Sequence, residues 1–226
     1  MEGIIFCTIA ATIISVIVFV IVHSIRMEKK RNLFMEQIAG TLGFNYVAKQ
    51  SDVEQIPCNA ATLFNRGCSD SAKNVMTGKV ADVDVLLMDY QFTTGSGKNS
   101  TTHRLSVAAF KVPGLEIPNF ALERENFLTR IADKLGFSDI NFESHPKFSD
   151  MFQLKGENEQ AIRSFFTPAL LTQIENGLIP KDWHVQAGAN WLVVHTASKR
   201  IKPEELQTYL NDSFDLMNRL TAAVTV

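Results

Sequence analysis

No lysine or arginine precedes Arg26, and no charged side chain of either sign lies between Ile4 and Ile25. A cleaved secretory leader needs a positive n-region and a small-x-small cleavage site. Only Met1, Glu2 and Gly3 stand before the apolar run, and no such site precedes the basic residues that follow it, so the absence argues against cleavage. Cysteine is scarce as well: of three, Cys7 lies in the apolar run, and Cys58 and Cys68 stand ten residues apart with no Cys-x-x-Cys spacing. A disulfide framework or a zinc site is therefore not indicated. There is no excess of positive charge either. Residues 1–31 hold four of the 22 basic and two of the 24 acidic side chains, which leaves 18 against 22, about −4, for the rest. A nucleic-acid binder carries the opposite footprint, so nucleic acid is not an expected partner.

What is present begins with the apolar run itself. As a helix, residues 4–25 span roughly 33 Å at about 1.5 Å per residue, the hydrocarbon thickness of a bilayer. They show no polar stripe of the kind a soluble core helix carries. The expectation is a single transmembrane helix with the bilayer as partner. Arg26, Lys29, Lys30 and Arg31 follow directly. As topology-determining residues they place that flank in the cytoplasm, with residues 1–3 outside. The location expected is a bacterial inner membrane, single-pass, with the N-terminus out and the domain in the cytoplasm. The same four residues also suit anionic lipid, a reading that topology alone makes unnecessary.

Residues 26–43 then read as a basic flank and an amphipathic helix, with Leu33, Phe34, Ile38 and Leu42 near one face and Gly43-Phe44 as its C-cap. Residues 44–226 read as one α+β domain, with an antiparallel β-meander and packed helices, divisible into a mainly β half (44–123) and a mixed half (124–226). The spacing predicts a short strand at Ala60–Phe64 and a strand near 82–92 that is apolar on both faces, hence central. It predicts a second strand at Thr101–Val112 and a third at Ile117–Glu123. Helices are expected at Asn126–Leu135, at Glu157–Phe166, and from Thr167-Pro168 to Asn176-Gly177. A short strand is expected at Phe152–Lys155, a hairpin of Trp183–Ala187 with Trp191–Ala197, and a final helix from Pro203 carrying Leu206, Leu210, Phe214, Met217 and Leu220 on one face. Phe34, Ile38, Ala39, Leu42, Gly43 and Phe44 match Phe127, Ile131, Ala132, Leu135, Gly136 and Phe137 at a constant offset. An amphipathic helix ending at glycine produces that match without a duplication.

Chemical motifs are few. Gly95-Ser96-Gly97-Lys98 lacks the first glycine of a phosphate loop, where Phe92 stands, and the following Ser/Thr, where Asn99 stands. It reads as a flexible hairpin tip and a candidate interaction loop. A loop centre near Gly97 brings Asp89 opposite Arg104 and Tyr90 opposite His103, as ordinary cross-strand pairs. His103, His145, His184 and His195 could contribute to a metal or acid–base site. A turn on Gly188-Ala189 makes His184 and His195 diagonal neighbours on one face, but spacing names no third ligand. Glu157 and Glu159 are expected in the first turn of a helix, where they complement its dipole. No nucleophile elbow, HExxH or dinucleotide fingerprint occurs; no cofactor, no metal site and no catalytic residue is indicated.

Asn74-Val75-Met76-Thr77-Gly78, Asp89-Tyr90, Gly95-Ser96-Gly97-Lys98 and the stretch from Phe148 to Thr167-Pro168-Ala169-Leu170 resemble an uncharacterised family of bacterial membrane-anchored proteins, a domain of unknown function. The resemblance runs from about Leu63 to Leu220. It implies a transmembrane segment beside the domain and an inner-membrane location, and it carries over no catalytic residues. The functional expectation is a membrane-tethered cytoplasmic interaction or scaffold module with an unknown protein partner, more a binder than an enzyme. The alternatives are a membrane-anchored hydrolase or metal-dependent enzyme using the domain histidines, and a sensor of lipid headgroups.

Overall fold

A computed structural model describes residues 2–50, 60–65, 68–111, 113–114, 116–124, 139–197 and 199–222. Helix α1 (Glu2–Leu42) is unbroken from the apolar run into the amphipathic segment. The basic residues that follow Ile25 are good helix formers with no Gly or Pro among them, so nothing interrupts the backbone ladder there. It ends as its sequence dictates: Gly43 takes φ +69, and Phe44 N–H returns to Ala39 O at 2.8 Å.

The domain is α+β. Strands β1 (Asn45–Gln50), β2 (Cys68–Val80), β3 (Val83–Thr94), β4 (Thr101–Lys111), β5 (Phe120–Arg124), β6 (Phe152–Lys155), β7 (Trp183–Gly188) and β8 (Trp191–Thr196) form one sheet in the order β1-β2-β3-β4-β8-β7-β5-β6. All neighbouring pairs are antiparallel. The β7–β8 hairpin sits between β4 and β5, so the two sequence halves interleave in one sheet. The central strands are buried on both faces, as the doubly apolar pattern of β3 predicts.

One face holds the main core. Met35 and Ala39 of α1 join Val85, Leu87, Phe110, Leu122 and Val194 there, beneath α2 (Pro146–Met151), α3 (Glu159–Phe165), α4 (Pro168–Glu175) and α5 (Leu206–Ala222). Phe120, Phe148, Phe152, Phe165 and Phe166 stack against one another in it, with ring centroids 5.0–6.0 Å apart. The opposite face buries a smaller cluster, in which Leu63 and Phe64 cover Tyr90, Phe92, Val107 and Val193.

Several expectations need correction. Leu33 and Phe34 do not face the domain: they are 62% and 44% exposed, while Met35 and Ala39 are buried. The docked stripe is rotated because Arg31, not an aliphatic side chain, anchors it. Ala60–Phe64 is not a strand; Thr62–Asn65 form a 3₁₀ turn. The β3–β4 register pairs Asp89 with Ser106, Tyr90 with Leu105, Gln91 with Arg104 and Phe92 with His103. The connection runs six residues, from Gly95 to Ser100, which shifts the pairing by two. Only Glu159 lies in the first turn of α3, since Asn158 is the N-cap and Glu157 precedes it. β1, β2 and α2 have no counterpart among the strands and helices expected from the sequence. The helix expected at Asn126–Leu135, and with it the second copy of the 34–44 pattern, falls outside the described residues.

Candidate functional site

The densest polar cluster in the core lies where α1 leaves its apolar segment and meets the sheet. Positions 28, 31, 35, 38, 39 and 42 recur at helical spacing and form the inward stripe of α1. Two of them are charged. Arg31 grips Asp89 of β3 in bidentate fashion, Nε to Oδ2 and Nη2 to Oδ1, each at 2.7 Å. Its side chain is 11% exposed and that of Asp89 4%. The third Arg31 nitrogen, Nη1, donates to Ile201 O at 2.8 Å.

Asp89 is fully engaged. Asn74 Nδ2 donates to Oδ2 at 2.8 Å, Ser106 Oγ to Oδ1 at 3.3 Å, and Arg200 Nη1 stands 3.7 Å from Oδ2. Asn74 reaches it because β2 is bulged there: the register shifts between Lys73 and Met76, and Asn74 takes φ +49, a left-handed conformation asparagine tolerates. Tyr46 of β1 closes the chain, its hydroxyl lying 2.7 Å from Asn74 Oδ1 and 3.2 Å from Asn32 O. Burial raises the Tyr46 pKa, and Glu36 and Asp89 add to the rise.

A second ion pair flanks the first. Arg200 donates from Nη1 and Nη2 to the two oxygens of Glu28 at 2.8 and 3.0 Å, and Lys73 Nζ lies 3.9 Å away. The Arg200 hydrogen bond holds the Glu28 carboxyl below its ordinary range against the opposing effect of partial burial. Ile201 N–H donates to Ser106 Oγ at 2.9 Å, so the segment after β8 is tied by backbone as well as side chain. Below it Tyr209 of α5, its pKa raised by complete burial, donates to Val194 O at 2.9 Å.

Chemically this is a clamp. A general base needs an oxygen free to take a proton, whereas both oxygens of Asp89 are occupied by donors that α1, β2 and β4 hold in place. Taking one partner of such a buried pair away costs about 3–5 kcal/mol, although the intact pair stabilises little over an apolar substitute. Its consequence is positional: Arg31 must meet Asp89, so α1 has one rotation and one axial register against the sheet.

The sequence candidates are distributed as follows. Arg31 belongs to the clamp, whereas Arg26, Lys29 and Lys30 are exposed on α1. Gly95, Ser96, Gly97 and Lys98 form an exposed, tightly built tip, with a 3₁₀ turn at Gly97–Asn99. Gly95 has φ +80 and Gly97 φ +57, and a Cβ on Gly95 would strike Asn99 O. His184 and His195 lie directly opposite each other, buried and stacked with ring centroids 5.0 Å apart. The hairpin turns on Ala189-Asn190, both at positive φ, in place of Gly188-Ala189. His103 lies on the same sheet face, four residues along β4 from the partner of His195, and stacks on Phe92 at 4.8 Å. His145 Nδ1 is 3.3 Å from Glu175 Oε2. The histidines do not converge, and among the described residues no three His, Cys, Asp or Glu side chains gather as a metal set. An open depression lined by Glu159, Gln160, Arg163 and Ser164 offers no convergent chemistry, because Arg163 is paired with Glu159 at 2.7 Å. The clamp was missed because its members are scattered over positions 28 to 201; the one local signal is a charged Asp89 inside a doubly apolar strand.

Comparison with known proteins finds no matching protein-family model and no matching curated protein. Among solved structures, the chain is similar to the crystal structure of the mycobacterial trehalose monomycolate transport factor A, TtfA. The TM-score is 0.59 at 12% sequence identity, over 85% of this chain and 93% of that one. At that identity the likeness is one of fold.

Proposed function

We propose that this protein is a membrane-anchored, non-enzymatic module that presents its domain to another protein in a fixed orientation. Residues 4–25 cross a bacterial inner membrane, and Arg26, Lys29 and Lys30 hold the domain on the cytoplasmic side. The observation that carries the proposal is the clamp: a helix long and apolar enough to cross a membrane continues without a break into the core and is fixed there by two ion pairs. A flexible leash would serve an enzyme with a diffusible substrate equally well. A locked helix serves a component whose angle to the membrane matters. The locked register leaves Met27, Leu33 and Phe34 on the outward face, 53%, 62% and 44% exposed, in line with the apolar segment above them. Such a stripe suits a helix of a neighbouring membrane protein. The fold it shares with a transport factor supports an accessory role beside a membrane assembly; the cargo of that factor is not transferred to this chain.

The test is a photo-crosslinking amino acid installed at position 34 of the full chain in native membranes, with exposed position 160, in the helix that follows the opposite edge strand of the sheet, as control. A discrete adduct at 34 and none at 160 is expected. A chain that stays uncrosslinked at both positions, or crosslinks equally at both, overturns the proposal.

A further inference from the structure

The clamp also fixes which end of the sheet faces the membrane. Glu28 lies by Lys73, Asn32 by Tyr46 and Asn74, and Phe44 against Gly78, so β2 runs beside α1 in the same direction. Moving from Arg31 back towards the apolar segment therefore means moving along β3 from Asp89 towards Thr94, and along β4 from Ser106 towards Thr101. β8 stops at Thr196, opposite this point, and its pairing with β4 covers only Val107–Lys111. The β3–β4 arms continue past it. From Asp89 to Thr94 they extend five residues, about 17 Å at ~3.3 Å each. From Arg31 to Ile25, where the apolar segment ends, α1 rises only about 9 Å at ~1.5 Å per residue. The arms are thus longer than the rise of α1 from Arg31 to Ile25, long enough for the hairpin tip to reach the level where the apolar segment ends.

Its composition fits that place. From Gln91 to Arg104 there is no acidic residue; there are Lys98, Arg104, His103 and six Ser or Thr hydroxyls. Residues 95–102 are all exposed. Arg26, Lys29 and Lys30 lie exposed at the same level of α1. This basic rim belongs to a domain whose net charge is negative. The tight glycine turn keeps the hydroxyls and Lys98 on a firm support in place of a floppy loop.

We propose that the β3–β4 hairpin tip, Thr94 to Thr101, rests on the phosphate headgroups of the membrane that α1 crosses, as a second foot beside the helix, favoured by anionic lipid. Basic residues at such a surface are drawn to anionic headgroups within a Debye length. The inference rests on residues 4–25 crossing the membrane and not on a protein partner. Two contacts, helix and hairpin, then set the tilt of the domain.

The full chain is reconstituted in nanodiscs of phosphatidylcholine with and without phosphatidylglycerol, carrying a fluorescent amino acid at position 96, 82 or 19. Asp82 marks the turn at the opposite end of the hairpin arms. Quenching by a headgroup nitroxide is expected to be several-fold stronger at 96 than at 82, stronger again with phosphatidylglycerol, and to lose that increment in Lys98→Glu/Arg104→Glu. Position 19 is expected to be quenched by an acyl-chain nitroxide. Equal quenching at 96 and 82 with position 19 buried overturns the second foot alone. A position 19 that no acyl-chain nitroxide reaches overturns the anchor and the foot together.

Discussion

Among single residues, Asp89 has the largest predicted effect. It is buried in the middle of β3 with donors from Arg31, Asn74 and Ser106 on its two oxygens. Asp89→Ala leaves the Arg31 guanidinium buried without its counter-charge, a loss of about 3–5 kcal/mol. Arg31→Met/Asp89→Leu removes both charges and keeps the volume, so it is expected to recover most of that loss, since desolvation of the pair then disappears too. Denaturant unfolding of the four corners of this cycle measures the coupling. A double variant no more stable than Asp89→Ala would mean that Asn74, Ser106 and Arg200, which still face the position, dominate the site. In the sequence Asp89 looks like a surface cross-strand residue; only the approach of a helix 58 residues earlier makes it a core acid.

At the scale of elements, helix ends and turns were the most legible features, because their chemistry is local. Thr167 accepts from Leu170 N with Pro168 following, Gly177 takes φ +94 after Asn176, and Gly43 closes α1. Registers were less legible. The β3–β4 pairing moved by two residues because loop length is not written in a run of Gly, Ser, Thr and Asn, each of which suits several turns. The β7–β8 turn carries its own prediction. Ala189 and Asn190 have φ +50 and +64, the two positive angles of the tight hairpin that favours Asn-Gly. Alanine is ill suited to the first position, so Ala189→Asn is expected to stabilise by about 0.5–1 kcal/mol. Thermal unfolding checks this, and an unchanged or lowered midpoint would show that the flanking Trp191 and Gly188 set the turn at no cost to alanine.

For the whole molecule, α1 is both a helix long and apolar enough to cross a membrane and an element of the core. Met35 and Ala39 are 1% and 0% exposed within the main cluster, and Arg31 and Glu28 make the clamp. A fragment of residues 28–226 keeps all of these and is expected to unfold cooperatively. A fragment of residues 43–226 loses two core side chains and leaves Asp89 and Arg200 short of partners. That loss exceeds about 5 kcal/mol, the scale of a domain's entire stability. Circular dichroism melts of the two fragments decide it; equal midpoints would show that the helix is an appendage.

What the sequence by itself determined is whatever depends on neighbours along the chain: the length and apolarity of residues 4–25, the charge asymmetry around them, the α+β class, the doubly covered β3 and the capped helices. What only the tertiary structure decided is whatever depends on residues far apart. It turned α1 so that Leu33 and Phe34 look outward, stacked His184 on His195, and set Arg31 of α1 against Asp89 of β3. The physical reason is the same in each case. An ion pair between Arg31 and Asp89 is worth forming only where the surrounding fold has already removed water from both, and no local pattern encodes that.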